Sequence, residues 1–211
     1  MTACSQGHSE VALELLKVGG IDVNIQDSSG WTALMWACSK GLTEVALELL
    51  KADGLDADIQ NKSGWTALVW ACSKGHTEVA IELLKIEALD VNLQSGGGWT
   101  ALLWACSKRN TGIVLALLRD PRVDRRIKNS HGRNALSLAR RHSLSAVVTL
   151  IEALNRGDER MPLVKVHHRY LYGDVAKDGA QAQAPYPPGS AITKTLVDKN
   201  LVHYMSQFLA T

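Results

Sequence analysis

The sequence predicts an all-α solenoid of helix-turn-helix units with short β-hairpin-like turns, followed by an irregular C-terminal tail. Three observations lead there. The stretch GWTALMWACSKG at Gly30 to Gly41 returns as GWTALVWACSKG at Gly64 and as GWTALLWACSKR at Gly98, each copy 34 residues after the last. The flanks keep the same period, with TEVALELLK from Thr43 and TEVAIELLK from Thr77, then LDADIQ from Leu55 and LDVNLQ from Leu89. Within each copy the apolar residues fall at helical spacing. A fixed period of this length means structural units that bury their cores only by stacking on one another.

Each unit opens on a polar turn at Asp27, Asn61, Ser95 or Asn129 and closes it at Gly30, Gly64, Gly98 or Gly132, where glycine tolerates positive φ. Thr32, Thr66 and Thr100 follow, placed to cap a first helix by accepting a bond from an orphan backbone N–H. On that helix Leu34, Ala37 and Cys38 share one face, and small Ala and Cys let a second helix approach closely. Thr43, Thr77 and Thr111 are expected to cap helix two, whose stripe of Val45, Ala46, Leu49 and Leu50 has buried-helix spacing. Gly19-Gly20, Asp53-Gly54 and Pro121 then stop its copies.

These residues, D-x-x-G-x-T-A-L-x-x-A, then G-x-T-E-V-A, then D-V-N, resemble the ankyrin repeat from about Met1 to Leu154. Ala33-Leu34-Met35 stands where the family has Pro-Leu-His, with Val69 and Leu103 in the later copies, so the polar link made by that His is absent. The resemblance divides the chain into a partial repeat (1–26), three repeats (27–60, 61–94, 95–128), a degenerate capping repeat (129–154) and a tail (155–211). Each repeat is one residue longer than the commonest form. The extra residue is expected after helix two, around Gly20, Gly54 and Ala88.

In chain order, Met1 to His8 align with Met35 to Leu42, so the sequence begins inside a first helix, with no polar cap visible before it. A solenoid needs such a cap over its last core face, and the expectation is therefore a piece of a longer array. No apolar run approaches the roughly 18 residues of a membrane span. That points to an intracellular protein, cytoplasmic or nuclear, and the four cysteines fit a reducing compartment. Cys4, Cys38, Cys72 and Cys106 recur once per repeat and read as small buried residues. Stacked helices lie about 8 to 10 Å apart, beyond the roughly 7 Å Cα limit of a disulfide. Asn61-Lys62-Ser63 matches a glycosylation sequon, yet an Asn opening a turn explains it.

The formal net charge of +2 hides a gradient, from −6 over residues 1–60 to +5 over residues 119–154. Arg119, Arg122, Arg125, Arg126, Lys128, Arg133, Arg140 and Arg141 form the basic end. It is either a solvated face or a surface for an acidic protein, RNA or a membrane. The fourth copy replaces Trp and Thr with Arg133, Asn134 and Leu138, and its second helix is expected over about Ser145 to Leu154. Beyond Asn155 the period is lost. Arg156 to Arg160 reads as an exit linker, and Met161 to Tyr172 alternates apolar and basic residues. Gly179 to Gly189 is a Pro/Ala/Gln linker, and Val197, Leu201, Met205 and Phe208 mark a terminal amphipathic helix. Adjacent His167 and His168 point apart and make a poor metal pair.

Six tryptophans lie in the repeats, Trp31, Trp65 and Trp99 before the helix and Trp36, Trp70 and Trp104 on it. At 100° per residue Trp36 lies about 160° from Leu34, away from helix two. In ankyrin folds that direction lines the concave groove, so the resemblance implies two Trp ladders along it with Lys40, Lys74 and Lys108 beside them. Trp is favoured at binding hot spots. The competing expectation is that the rings stack between repeats, or under Lys stems, and only stabilise the solenoid. No phosphate loop, metal-ligand cluster or nucleophile elbow is visible, and Ser39, Ser73 and Ser107 recur only because the scaffold does. No catalytic residue, metal or cofactor is therefore assigned.

The expected function is a non-enzymatic, monomeric protein-interaction scaffold or adaptor. Its partner-binding residues would be Trp31, Trp36, Lys40, Trp65, Trp70, Lys74, Trp99, Trp104, Lys108 and Arg133, facing an acidic or amphipathic protein segment. The alternatives are nucleic-acid or acidic-surface binding through the basic fourth repeat, and a targeting or regulatory piece of a larger multidomain protein.

Overall fold

The computed structural model describes residues 1–18 and 20–156. The exit linker beyond Arg156, the alternating stretch, the Pro-rich linker, the terminal helix and the His167-His168 pair lie outside the described residues. Among the described residues five helix pairs follow in order: α1 (Thr2–Gln6) with α2 (Ser9–Lys17), α3 (Ala33–Lys40) with α4 (Thr43–Leu49), α5 (Ala67–Lys74) with α6 (Thr77–Leu84), α7 (Ala101–Ser107) with α8 (Thr111–Arg119), and α9 (Ala135–Arg141) with α10 (Ser145–Asn155). First helices stack α1, α3, α5, α7, α9 and second helices α2, α4, α6, α8, α10, two layers enclosing one core. Over the described residues the fold is an all-α helical repeat solenoid with almost no strand. Among the described residues a single isolated bridge, Ser95 to Trp99, marks the hairpin character of the turns.

Local chemistry sets each boundary. Thr32, Thr66 and Thr100 have extended backbone, and each hydroxyl accepts the N–H three residues on, at 3.2, 3.2 and 3.3 Å, a cap worth about 1 kcal/mol. In the fourth copy Asn134 takes over, accepting from Ser137 N–H at 2.9 Å, while the Ser137 hydroxyl accepts from Asn134 N–H. The caps expected for helix two are not found. Its N-caps are Leu42, His76 and Asn110, and the threonines are already the first helical residues. The backbone arrives there from a left-handed residue, Gly41, Gly75 or Arg109, and the N-cap residue that follows it has ψ of 71 to 80°, which moves the threonine one place too far in to cap. The Thr77 hydroxyl instead donates to the Gly75 carbonyl at 3.4 Å. Helix α8 ends at Arg119 because Asp120, before Pro121, is extended, as the proline ring requires.

The core is narrow and made of small residues. Leu34, Ala37 and Cys38, with Leu68, Ala71 and Cys72 in the next unit, are all at most 2% exposed, as are Val45, Ala46 and Leu49 on α4. The positions equivalent to Val45 and Leu49 in the first pair, Val11 and Leu15, are 53% and 47% exposed. Burial is thus supplied by the preceding unit. Met35, Val69 and Leu103, where the family pattern has His, are buried at 1% and fill volume instead of making a polar link. Polar links come from elsewhere. Gln26 Nε2 donates to the Gly30 carbonyl at 2.8 Å and to the Gln60 carbonyl at 3.2 Å, and Gln60 repeats both bonds one unit on. Asn24 donates to the Gly54 carbonyl at 2.7 Å and accepts from Asp56 N–H at 2.9 Å, a double tie that Asn92 repeats with Arg122 and Asp124. Turns also bond backbone to backbone, Lys62 N–H to Ser29, Gly96 to Ser63 and Ser130 to Gly97. Gly30 shows why the turn is closed by glycine: its φ is 82°, and a Cβ there would lie 3.0 Å from Asn61 Cα and Lys62 N.

A tryptophan-lysine face on the first-helix layer

The opening residue of each turn fixes the tryptophans. Asp27 Oδ1 accepts from the N–H of Ser29 at 2.8 Å and of Trp31 at 2.9 Å, while Asp27 N–H donates to the Trp31 carbonyl at 2.9 Å. Trp31 is thereby held where the turn returns to helix α3. Trp36 sits one helical turn further on, and its indole N–H reaches back to Asp27 Oδ2 at 3.1 Å. The same carboxylate so orders both rings. Its pKa is lowered, first by the Trp31 N–H and then by Ser29 N–H, the Trp36 indole and the charge of Lys62, against an opposing effect of burial. In the third unit Ser95 Oγ accepts the Trp104 indole N–H at 3.2 Å. In the second, Asn61 Oδ1 accepts from Ser63 and Trp65, both at 3.0 Å, but Trp70 Nε1 is buried with no acceptor.

The rings do not form two parallel ladders. Trp31 stacks on Trp36 at 4.1 Å between centroids and also meets Trp70 of the next unit at 4.7 Å. Trp65 meets Trp70 at 4.2 Å and Trp104 at 4.9 Å, and Trp99 closes the series on Trp104 at 4.7 Å. The order is one zigzag, Trp36, Trp31, Trp70, Trp65, Trp104, Trp99, in which the turn residues Trp31 and Trp65 are each wedged between two helix residues and Trp99 ends the series. A bulky ring entering from the turn fills the gap between successive helix rings, and this merges the two rows. Such pairs contribute about 0.5 to 1.5 kcal/mol each beyond burial, so the stack stabilises the array across three repeats. All six side chains remain half-buried.

Above the stack stand the lysines. Lys40, Lys74 and Lys108 place Nζ 6.0, 5.8 and 5.8 Å from the ring centroids of Trp36, Trp70 and Trp104, within cation–π range. All three are exposed, and none enters an ion pair among the described residues. The tenth expected residue, Arg133, occupies the tryptophan position of the fourth turn, where its N–H donates to Asn129 Oδ1 at 3.1 Å. The structure brings nine of the expected residues onto one face and places Arg133 at its end.

The basic end is partly internal. Arg122 donates to the carbonyls of Leu84 at 2.7 Å, Ile86 at 2.7 Å, Glu87 at 2.9 Å and Leu89 at 3.3 Å, and pairs with Asp120 at 2.6 Å. It closes the C-terminus of α6 from the next repeat, a role with no counterpart at Gly54 or Ala88. Arg125 bonds the Leu154 carbonyl and Asn155 Oδ1, and Arg140 pairs with Glu152 at 2.7 Å. The cysteines lie in the core. Burial pushes the Cys38 and Cys106 thiols up to about 12 and Cys72 higher still, so they stay protonated at neutral pH.

The family model for ankyrin repeats (3 copies) matches residues 1–95, and that for ankyrin repeats (many copies) matches residues 83–139. The chain belongs to the ankyrin repeat family. No curated protein matches it. Ankyrin repeats are in general protein–protein interaction modules and are typically non-enzymatic. Among the described residues, no helix of this ankyrin array is long and apolar enough to cross a membrane.

Proposed function

We propose that this ankyrin array is a monomeric, non-enzymatic scaffold or adaptor, cytoplasmic or nuclear, that takes a protein partner on the tryptophan-lysine face. The observation that carries the reading is the row of Lys40, Lys74 and Lys108, exposed and outside every ion pair among the described residues, over a rigid, half-buried indole stack. Apolar area already ordered loses little entropy on binding, and a cation row selects an acidic partner. Nucleic acid on the fourth repeat is the weaker reading, because Arg122, Arg125 and Arg140 are engaged within the protein.

The test leaves the stack intact and reverses the charges. Wild type and a Lys40→Glu, Lys74→Glu, Lys108→Glu variant are shown to be equally helical by circular dichroism, then used to capture partners from lysate. Proteins lost only from the variant support the reading. Proteins retained equally by both refute it, and nuclease-sensitive capture that survives the variant moves the function to the fourth repeat.

A further inference from the structure

Resting on that reading of the face, we propose that the segment it binds is acidic, adopts the polyproline II conformation, and carries a carboxylate at every third residue. The argument is one of matched periods. Lys40, Lys74 and Lys108 occur once per repeat, each beside the helix tryptophan of its own unit. Successive first helices pack directly, α3 on α5 and α5 on α7, and packed helices stand about 8 to 10 Å apart. A polyproline II strand has three residues per turn and rises about 3.1 Å per residue, so one of its edges repeats every ~9.3 Å. Residues i, i+3 and i+6 of such a strand therefore meet three successive lysines without stretching.

The second edge of the strand also has a place. The indole stack runs along the same axis as the lysines, from Trp36 through Trp31, Trp70, Trp65 and Trp104 to Trp99. Aromatic-lined surfaces are an established place for polyproline II ligands, because the ligand is already ordered before it binds. Carboxylates at position one of each triplet meet lysines, prolines or aliphatic residues at position two pack against the exposed part of the half-buried indoles, and position three faces water. The lysines give this chemistry a sign. Asp27, the carboxylate nearest the stack, is spent on the N–H groups of Ser29, Trp31 and Trp36, so the cations are left for an incoming acid.

The experiment uses the full chain and four fluorescent peptides in low salt, read by anisotropy, the fourth of them made of four Lys-Pro-Ala triplets. One holds four Glu-Pro-Ala triplets. The second has the same composition with the Glu spacing made irregular, and the third is an Ala-rich helix with Glu at every seventh residue. The triplet peptide is expected to bind about tenfold more tightly than its permuted twin, which loses two of three register-matched ion pairs. The triple Lys→Glu variant is expected to lose it and to bind four Lys-Pro-Ala triplets instead, a charge swap that a misfolded variant would not show. Equal binding of the triplet and permuted peptides, preference for the helical peptide, or no binding of the triplet peptide overturns the inference. The broader reading is judged apart from it, because lysate partners lost on Lys→Glu substitution would still mark the face as the binding surface.

Discussion

Asn61→Asp is expected to stabilise the protein, against the general rule that adding a carboxylate to a site only 7% exposed is harmful. Position 61 opens the second turn as Asp27 opens the first. Asp27 satisfies the Trp36 indole with its second oxygen, whereas Asn61 spends its one oxygen on Ser63 and Trp65 and has only an NH2 for Trp70 Nε1. Turning the amide over moves the conflict to the two backbone N–H groups, since an amide cannot accept on both sides. A buried donor left unpaired costs about 1 to 3 kcal/mol. Supplying the acceptor recovers most of that, less the desolvation of a carboxylate that is met by three donors and by the neighbouring Lys62. The net gain should be about 1 kcal/mol at pH 7, or roughly 2 to 4 °C in Tm for an array of this size. The new carboxyl should resemble Asp27, with a folded pKa below its unfolded value of about 3.9. The gain is therefore fully present above that pH and is lost as pH falls through the folded pKa. Denaturant titrations of wild type, Asn61→Asp, Trp70→Phe and the double variant measure the coupling. An equal gain in the Trp70→Phe background, or a loss at pH 7, would refute the reasoning.

Three further substitutions follow from the same comparison of equivalent positions. Asp58 accepts from Asp90 N–H, as Asn24 does from Asp56, but cannot donate to the next loop as Asn24 and Asn92 do at 2.7 Å. Its pKa is raised, chiefly by burial and then by Asp90 and Asp56, against the backbone bond to Asp90. Asp58→Asn should add about 1 kcal/mol at neutral pH, and the advantage over wild type should open as pH rises above about 3.9, which urea unfolding at pH 3 to 7 reads directly. Arg122→Ala leaves four carbonyls at the end of α6 without their charged donor and should cost roughly 2 kcal/mol. Hydrogen exchange should then show lost protection concentrated around Leu84 to Leu89; a uniform loss along the array would contradict the capping role. Arg109 stands where Gly41 and Gly75 end the earlier first helices and is held at φ 61°. Arg109→Gly should stabilise by about 0.5 to 1 kcal/mol after the entropy of the added glycine is subtracted, and a lower melting temperature would argue against strain there.

The scaffold was legible because its determinants are local and periodic. The 34-residue register, the Thr32, Thr66 and Thr100 caps, the positive-φ glycines and the Leu34-Ala37-Cys38 face are each set by residues within a turn of one another. Helix-two capping was misread because Thr43 matches a capping residue by type, while the preceding left-handed Gly41 decides which residue takes the N-cap place. The stack was half legible: the angular argument turns Trp36 away from helix two, where it stacks on Trp31, but interleaving depends on Trp31 reaching over to Trp70, 39 positions on, which no single repeat contains. Arg122 was taken for a surface charge because a charge run records no geometry, and its partners at Leu84 to Leu89 lie more than 30 positions back. The signal that could have found it is the departure from period, Arg where the other copies have Gly or Ala.

Stacking of the tryptophans and recognition by them are compatible, and the geometry gives a reason to expect both. An indole free to rotate would lose that freedom on binding, at about 0.5 to 1.5 kcal/mol per ordered side chain. Here folding already meets that cost, because each interior ring is held by two neighbours. The lysines behave alike, since each rests its ammonium over a ring and loses less when a carboxylate arrives. What the stack sacrifices is adaptability. A surface locked across three repeats suits a ligand whose own spacing is fixed, and a flexible partner gains less from it. Substitutions that loosen the stack without removing charge, such as Trp65→Leu, should therefore weaken a period-matched ligand more than a permuted one, although all three lysines remain in place.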